Sequence, residues 1–164
     1  MIKKFVACKN CGNKLSKVLS KQVDFKDVDL YTEQPLLEKS CYTILEDKYL
    51  YISLWDKWSL PYHQDNSRMI GCCGPYVYGL PNLICASCSQ EVAREVTDCC
   101  TSHYVRFNLY TIQLLEDSDK FYEKIEKLSI SEEQKKQLET LLLYNQIDSF
   151  KEQLLILNPF DKTQ

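Results

Sequence analysis

The fold of this chain depends on two stretches, Cys8-Lys9-Asn10-Cys11-Gly12 near its start and Cys85-Ala86-Ser87-Cys88-Ser89 in its middle. Each holds two cysteines separated by two residues. On a tight turn between strands, this spacing aims both thiolates at one point about 2.3 Å from a tetrahedral zinc ion. One such turn, a zinc knuckle, supplies half of a four-thiolate site, so two knuckles complete it. The sequence therefore predicts one zinc ion bound by Cys8, Cys11, Cys85 and Cys88.

The two knuckles differ in one residue and lie far apart. Gly12 allows the positive φ that a knuckle turn commonly needs, whereas Ser89 stands at that place after the second pair. Between Cys11 and Cys85 lie 73 residues, far more than the 15–20 of a compact zinc ribbon. A long insertion is allowed, because the entropic cost of closing a loop grows only slowly with its length.

Composition limits the classes of protein that this chain can represent. Its 164 residues are 45% apolar and 26% charged, which indicates one globular domain rather than a disordered chain. A net charge of −3 argues against a protein that wraps nucleic acid. No apolar run is long enough for a signal peptide or a membrane span, so we expect a cytoplasmic protein. A reducing compartment disfavours structural disulfides, so the nine cysteines need another explanation.

The order of predicted elements favours an α+β fold, with a β-rich core at residues 1–115 and a helical segment at 116–164 that packs on it as one domain. Residues Lys4 to Leu19 are expected to form a hairpin around the first knuckle. Further strands are expected at Cys41–Leu54, turning at Glu46-Asp47-Lys48, and at Asn82–Cys85 and Tyr104–Leu114.

After residue 116 the apolar residues recur at helical spacing. Asp117-Ser118-Asp119 is a helix start, and Ser131 with Gln134 forms a capping-box pattern. A last helix is expected from Asp148 to Leu157, before Pro159. The predicted buried positions of this segment are Phe121, Ile125, Leu128, Leu138, Leu141, Leu142, Phe150, Leu154 and Leu155.

The remaining cysteines have more than one interpretation. One cysteine each from Cys72-Cys73 and Cys99-Cys100 can form a second metal site with His63 and His103. Satisfied loop and core residues explain the same pattern, and this interpretation is favoured. At most one cysteine of each adjacent pair is expected to join a cluster, because successive strand side chains point to opposite faces. Cys41, within a predicted strand, is expected to be a buried apolar residue. A Cys-His nucleophile oriented by Asp98 lacks a spacing signature.

A longer pattern links the second knuckle to its surroundings. It consists of His63, Ser67-Arg68, Gly71-Cys72-Cys73-Gly74, Pro81-Asn82-Leu83, Cys85, Cys88, Glu91-Val92-Ala93 and Asp98-Cys99. Together with the first knuckle, this pattern resembles a group of small uncharacterised bacterial proteins. The resemblance covers under half of the chain, and Ser89 departs from a pattern that usually has glycine there. It implies paired knuckles and no particular activity.

No phosphate-binding loop, dinucleotide-binding motif, zinc-protease motif or nucleophile elbow is present, and four thiolates close a zinc ion to substrate. We therefore expect a non-enzymatic, zinc-stabilised module that binds another protein, with an immunity or antitoxin-like role as one instance. Eight tyrosines and tryptophans between Tyr42 and Tyr78 are candidate interface anchors or core residues.

Two alternatives stay open. A nucleic-acid-associated zinc ribbon would use the first 26 residues, whose net charge is +6. A thiol-redox protein would use a knuckle as its dithiol, although such pairs usually open a helix. No membrane partner is expected, and the sequence does not indicate an oligomeric state.

Overall fold

The computed structural model describes residues 2–117, 126, 128–143 and 146–157. Within these ranges the protein is α+β, with two β-sheets followed by two helices, which confirms the predicted fold class. The chain divides into two compact units, Met1–Leu115 and Glu116–Gln164. The expected packing of the helical segment on the core stays a prediction.

The first unit is built on a six-stranded sheet and a two-stranded sheet. The larger sheet has the order β2-β3-β4-β7-β6-β5, in which β2 and β3 are parallel and all other neighbours are antiparallel. The smaller sheet pairs β1 with β8. The strands are β1 Lys4–Cys8, β2 Lys21–Gln22, β3 Cys41–Leu45, β4 Tyr49–Ile52, β5 Leu83–Ile84, β6 Glu91–Val96, β7 Tyr104–Asn108 and β8 Ile112–Glu116.

The hairpin of β3 and β4 forms where the sequence predicts it. Glu46 and Asp47 both take left-handed backbone, with φ of 53° and 50°, as the turns that match strand twist require. Along β4 the residues alternate between two apolar clusters, with Leu50 and Ile52 in one and Tyr51 in the other. Since successive side chains point to opposite faces, this sheet is covered on both sides.

The expected strand from Tyr104 to Leu114 is wrong as a single element. It divides into β7 and β8, which belong to different sheets. The break is a side-chain-stabilised turn, in which the Asn108 carboxamide oxygen accepts from the N–H of Tyr110 and the Asn108 carbonyl accepts from the N–H of Thr111.

The residue pattern predicts no strand at Glu91–Val96, yet β6 lies inside the large sheet. Charged residues hide it, because Arg94 and Glu95 occupy buried positions. Each has partners that make burial tolerable. Glu95 accepts a hydrogen bond from Lys57 at 2.6 Å, and the Arg94 guanidinium donates to three backbone carbonyls.

The second unit contains helix α1, Glu132–Leu143, and helix α2, Ile147–Leu157. The predicted capping box is confirmed, since the N–H of Gln134 donates to Ser131 Oγ and the N–H of Ser131 donates to Gln134 Oε1. Leu138, Leu142, Phe150 and Leu154 form the buried cluster of this unit, with Leu128 and Leu141 packed against it. The predicted helix start at Asp117-Ser118-Asp119 extends past the described residues after Asp117. The predicted buried positions Phe121 and Ile125 lie outside the described ranges.

Candidate metal centre

The first knuckle follows directly on β1, whose last residue is Cys8. The N–H of Cys8 donates to the carbonyl of Asn13, and the N–H of Gly12 donates back to the carbonyl of Cys8, both at 2.8 Å. Gly12 closes the turn with a φ of +77°. These hydrogen bonds hold residues 8–13 as a tight turn, which keeps the Cys8 and Cys11 side chains on the same side of that turn.

The second knuckle follows β5 and repeats this arrangement residue for residue. The N–H of Cys85 donates to the carbonyl of Gln90, and the N–H of Ser89 donates to the carbonyl of Cys85, both at 2.9 Å. Ser89 takes a left-handed φ of 62°, at the position equivalent to that of Gly12. The serine therefore does not prevent the knuckle; it adopts the conformation that glycine adopts more readily.

The fold brings these two turns together. The thiol sulfurs of Cys8, Cys11, Cys85 and Cys88, the four residues named from the sequence, all lie within 4.8 Å of one another. The Cys8 and Cys88 sulfurs are 3.6 Å apart, as are those of Cys11 and Cys85. Sulfurs bound at about 2.3 Å around a tetrahedral metal ion are about 3.8 Å apart. This group, the four-cysteine cluster, is thus arranged so that it could hold a metal ion.

The four-cysteine cluster joins segments that are distant in sequence. Cys8 and Cys85 are fully buried and belong to the main apolar cluster of the first unit. Cys11 is exposed and Cys88 is half-buried. The cluster therefore sits at the edge of the core and connects the end of β1, in the small sheet, to the end of β5, at the edge of the large sheet.

The electrostatics of the cluster are those of thiols that share one small volume. Hydrogen bonds from the Asn10 side chain and the Gln90 N–H lower the pKa of Cys88 to about 6. At Cys11 the N–H of Asn13 acts in the same direction, but burial and the neighbouring thiols outweigh it and raise the pKa to about 12. Thiols this close resist ionising together, and a bound cation favours the thiolate form of each.

Two asparagines that support the sulfurs are not recognisable from the sequence. The Asn13 side-chain amide donates to Cys85 Sγ at 3.6 Å, across the two knuckles, and the Asn10 side chain bonds Cys88. Both asparagines belong to the first knuckle, and each acts on a cysteine of the second. Only the folded arrangement reveals that role.

A second group of thiols is formed by Cys72, Cys73 and Cys99, whose sulfurs also lie within 4.8 Å of one another. The expectation that at most one cysteine of an adjacent pair joins a cluster is therefore wrong. It assumed strand geometry, whereas residues 71–74 form a bend rather than a strand. We call this group the three-cysteine cluster.

Within the described part of the chain, neither histidine belongs to a cysteine cluster. His63 Nδ1 accepts the N–H of Asp65 at 3.0 Å, and its Nε2 lies 3.2 Å from the Glu91 carboxylate. The alternative second site of two cysteines and two histidines is therefore not assembled. Cys41 is buried in β3, as expected, and Cys100 is exposed.

The aromatic residues between Tyr42 and Tyr78 differ in burial. Tyr42 and Tyr51 are buried in the two apolar clusters of the first unit, and Tyr49 is half-buried against the cluster that contains Tyr51. Trp55 and Trp58 are 59% and 53% exposed. The remaining exposed aromatic side chains of the segment are Tyr62, Tyr76 and Tyr78.

Among the described residues, no helix has the length and apolar character to cross a membrane. No protein-family model, curated protein or solved structure matches the chain. The function has to be inferred from the residues of the two clusters and of the exposed surface.

Proposed function

We propose that this chain is a non-enzymatic protein-interaction module whose β-rich unit is held together by one structural zinc ion on Cys8, Cys11, Cys85 and Cys88. The observation that carries the proposal is the equivalence of the two knuckles. Both have the same pattern of backbone hydrogen bonds and a left-handed backbone conformation at the equivalent position, Gly12 in one and Ser89 in the other. Their four sulfurs lie within 4.8 Å of one another.

Zinc suits this donor set better than the other common metals. Thiolate ligands favour zinc, copper(I) and iron–sulfur clusters over magnesium, calcium or manganese. Four cysteines in two knuckles form the common closed structural zinc site, and sulfur separations of 3.6 Å suit a single tetrahedral ion.

A redox role for the knuckles has less support. Redox Cys-x-x-Cys pairs commonly sit at the start of a helix, whose dipole stabilises the thiolate. Here Cys8 ends β1 and Cys85 follows β5 directly. The low pKa of Cys88 is the one feature that favours this alternative. If the zinc-loaded protein catalyses the reduction of a model disulfide, a redox role would replace the structural interpretation of the knuckles.

Metal analysis of the purified chain tests the zinc site. Cys11→Ser and Cys88→Ser should each remove about one equivalent of tightly bound zinc, because a closed tetrahedral site needs all four thiolates. Cys100→Ser is the matched control, since Cys100 is an exposed cysteine outside both clusters. Unchanged zinc content in both knuckle variants would contradict the proposal.

The proposed interaction surface centres on Trp55 and Trp58. Large exposed rings are typical anchors of protein interfaces, and both rings are more than half exposed. Beside Trp55 a shallow cavity of about 370 Å³ is lined by residues 35–39. Lys39 places its ammonium 5.0 Å from the centre of the Trp55 ring. A partner that covers this surface would bury both rings and fill the cavity.

Substitution of the two tryptophans tests the surface. Trp55→Ala and Trp58→Ala should leave zinc content and melting nearly unchanged but weaken binding to a purified partner by about 2 kcal/mol. Tyr31→Ala and Tyr110→Ala, at exposed rings elsewhere in the first unit, are the controls and should bind normally. Partner candidates come from crosslinking in cells. Equal binding by all four variants would show that another surface is used.

A nucleic-acid role is the second candidate, carried by the net charge of +6 over the first 26 residues. Phosphate contacts weaken steeply as salt rises, whereas contacts through buried rings do not. Tight, salt-sensitive binding of generic RNA or DNA, lost when Lys3, Lys4 and Lys9 are replaced by glutamine, would favour that candidate over a protein partner.

A further inference from the structure

We propose that Cys72, Cys73 and Cys99 bind a second thiophilic metal ion of the zinc class at an accessible site whose fourth coordination position is open to an exchangeable ligand. The site is independent of the four-cysteine cluster and shares no ligand with it. Three observations carry the proposal: a loop shaped by two glycines, a carboxylate that ties the three cysteines together, and a buried arginine that fixes the loop.

The loop Gly71-Cys72-Cys73-Gly74 has a shape that only glycine permits at its ends. A Cβ on Gly71 would fall on the carbonyl oxygen of Gly74, so the ends of the loop nearly touch. A Cβ on Gly74 would fall on Thr97 Oγ1, so the loop lies directly against the segment that leads to Cys99. This close approach brings two adjacent cysteines to a third one that is 26 residues further along the chain.

One carboxylate organises the backbone of all three cysteines. Asp98 Oδ1 accepts the N–H of Cys73 at 2.8 Å and the N–H of Cys99 at 2.9 Å. The N–H of Cys72 also lies close enough to this carboxylate to help lower its pKa. Since the amides are fixed around a common acceptor, the three side chains leave from one small region. Asp98 is therefore a positioning residue, and its side chain is not itself counted among the ligands.

Arg94 fixes the other side of the loop. Its side chain is only 3% exposed, and its guanidinium donates to the carbonyls of Arg68, Tyr76 and Leu80. These carbonyls flank the cysteine loop on both sides. Because a buried guanidinium must keep its acceptors, Arg94 holds residues 68–80 in one conformation and preorganises the cysteines.

Three thiolates are a donor set for zinc or another thiophilic ion. With three protein ligands, a zinc ion keeps a position for water or another ligand, unlike a four-thiolate site. The described residues offer no fourth cysteine or histidine within the cluster. Cys72 and Cys73 are exposed and Cys99 is half-buried, so water or a small ligand reaches this position from solvent.

Titration of the reduced, metal-free full chain with Co²⁺, under anaerobic conditions, tests the proposal. Co²⁺ reports thiolate ligands and tetrahedral geometry by its visible spectrum, and Zn²⁺ displaces it. We expect two spectroscopically distinct equivalents. Cys99→Ser should lose the second while keeping the spectrum of the first, which also shows that this variant is folded. Cys100→Ser, the adjacent cysteine, should keep both.

Two further measurements separate the proposal from a merely structural loop. Added imidazole should shift the bands of the second equivalent, because its open position accepts a ligand, and leave those of the first unchanged. Asp98→Asn should weaken the second equivalent about 10- to 100-fold, as loss of a ligand-orienting group does, without changing the first.

The proposal is overturned if Cys99→Ser removes no equivalent, whether the parent chain takes up one or two, or if Cys100→Ser removes the same equivalent. It is also overturned if mass spectrometry of the anaerobic protein finds two of the three cysteines joined in a disulfide. Failure of the four-cysteine site is recognised separately, because Cys11→Ser and not Cys99→Ser then leaves the titration unchanged.

Discussion

The two cysteine clusters bring thiol sulfurs close together in different ways. In the four-cysteine cluster, each pair of sulfurs is set by a local turn, and Cys8 and Cys85 are buried in the core. In the three-cysteine cluster, no local turn of that kind is present; Asp98 and two glycines hold exposed cysteines together. The four-cysteine cluster is thus part of the core, whereas the three-cysteine cluster lies outside it, at the surface.

This difference predicts opposite roles for a bound metal. An ion that joins the ends of β1 and β5 links two sheets and 73 residues of chain, so its binding free energy becomes folding free energy. An ion on the three-cysteine cluster joins two loops that Asp98 and Arg94 already hold. Its loss should therefore remove only the free energy of its own binding and leave the loops assembled.

The largest expected effect is on unfolding after loss of one ligand. Cys11→Ser should lower the free energy of unfolding by about 3 kcal/mol or more, since structural zinc contributes on the order of 10 kcal/mol or more in small domains. With one equivalent of zinc, which fills the four-cysteine cluster first, Cys99→Ser should change it by at most about 0.5 kcal/mol, as surface substitutions do. Urea unfolding of the proteins loaded with one equivalent of zinc measures both. Equal losses would remove the distinction between the clusters.

Metal removal should destabilise some segments of the chain more than others, in line with the difference between the two clusters. After chelation, hydrogen exchange should rise first in residues 4–15 and 82–91, which carry the knuckles, and the melting temperature should fall substantially. Residues 68–80 should respond less, because their carbonyls stay bonded to Arg94. A melting temperature that is unchanged after verified metal removal would show that the four-cysteine cluster does not stabilise the fold.

The loop glycines provide a smaller and more local effect. Gly74→Ala pushes a Cβ onto Thr97, so it should cost about 1–3 kcal/mol and abolish only the second Co²⁺ equivalent. Gly12→Ala meets no atom within 4 Å but has a φ of +77°, so it should strain the first knuckle instead and weaken only the first equivalent. A reversed pattern would mean that the loops are assigned to the wrong clusters.

The sequence predicted the four-cysteine cluster because its information is local. Two residues between cysteines fix a turn, and the turn fixes the direction of both thiols, so the pairing needs no knowledge of the fold. The strand pair that turns at Glu46-Asp47-Lys48 and the capping box at Ser131 are local signals of the same kind, and both are confirmed.

The three-cysteine cluster could not be predicted because its geometry is not local. That Asp98 would accept the amides of Cys73 and Cys99 depends on the register of β6 beside β5, and β6 itself was hidden by Arg94 and Glu95. In a sequence, charged residues within a strand-like pattern indicate a solvent-exposed loop, because the buried partners that would compensate their charge are visible only in the folded structure. The Gly-Cys-Cys-Gly motif is the sequence signal at this loop, and on its own it does not indicate where a third thiol lies.

The smallest expected effect compares the knuckles with each other, and it tests whether they are truly equivalent. Ser89 holds a left-handed φ of 62° that Gly12 adopts at the equivalent position of the first knuckle. A residue with a Cβ is about 1–2 kcal/mol less favourable there, while glycine adds about 0.5–1 kcal/mol of entropy to the unfolded chain. Ser89→Gly should therefore stabilise the protein by about 0.5–1 kcal/mol, and Gly12→Ser should destabilise it by a similar amount. Paired urea unfolding curves of the two variants and of the double exchange measure this, and the double variant should return close to the parent, because the same exchange is made in each direction. If Ser89→Gly instead destabilises the protein, the Ser89 side chain makes a contact that outweighs its backbone strain, and the knuckles are alike in hydrogen bonding but not in energy.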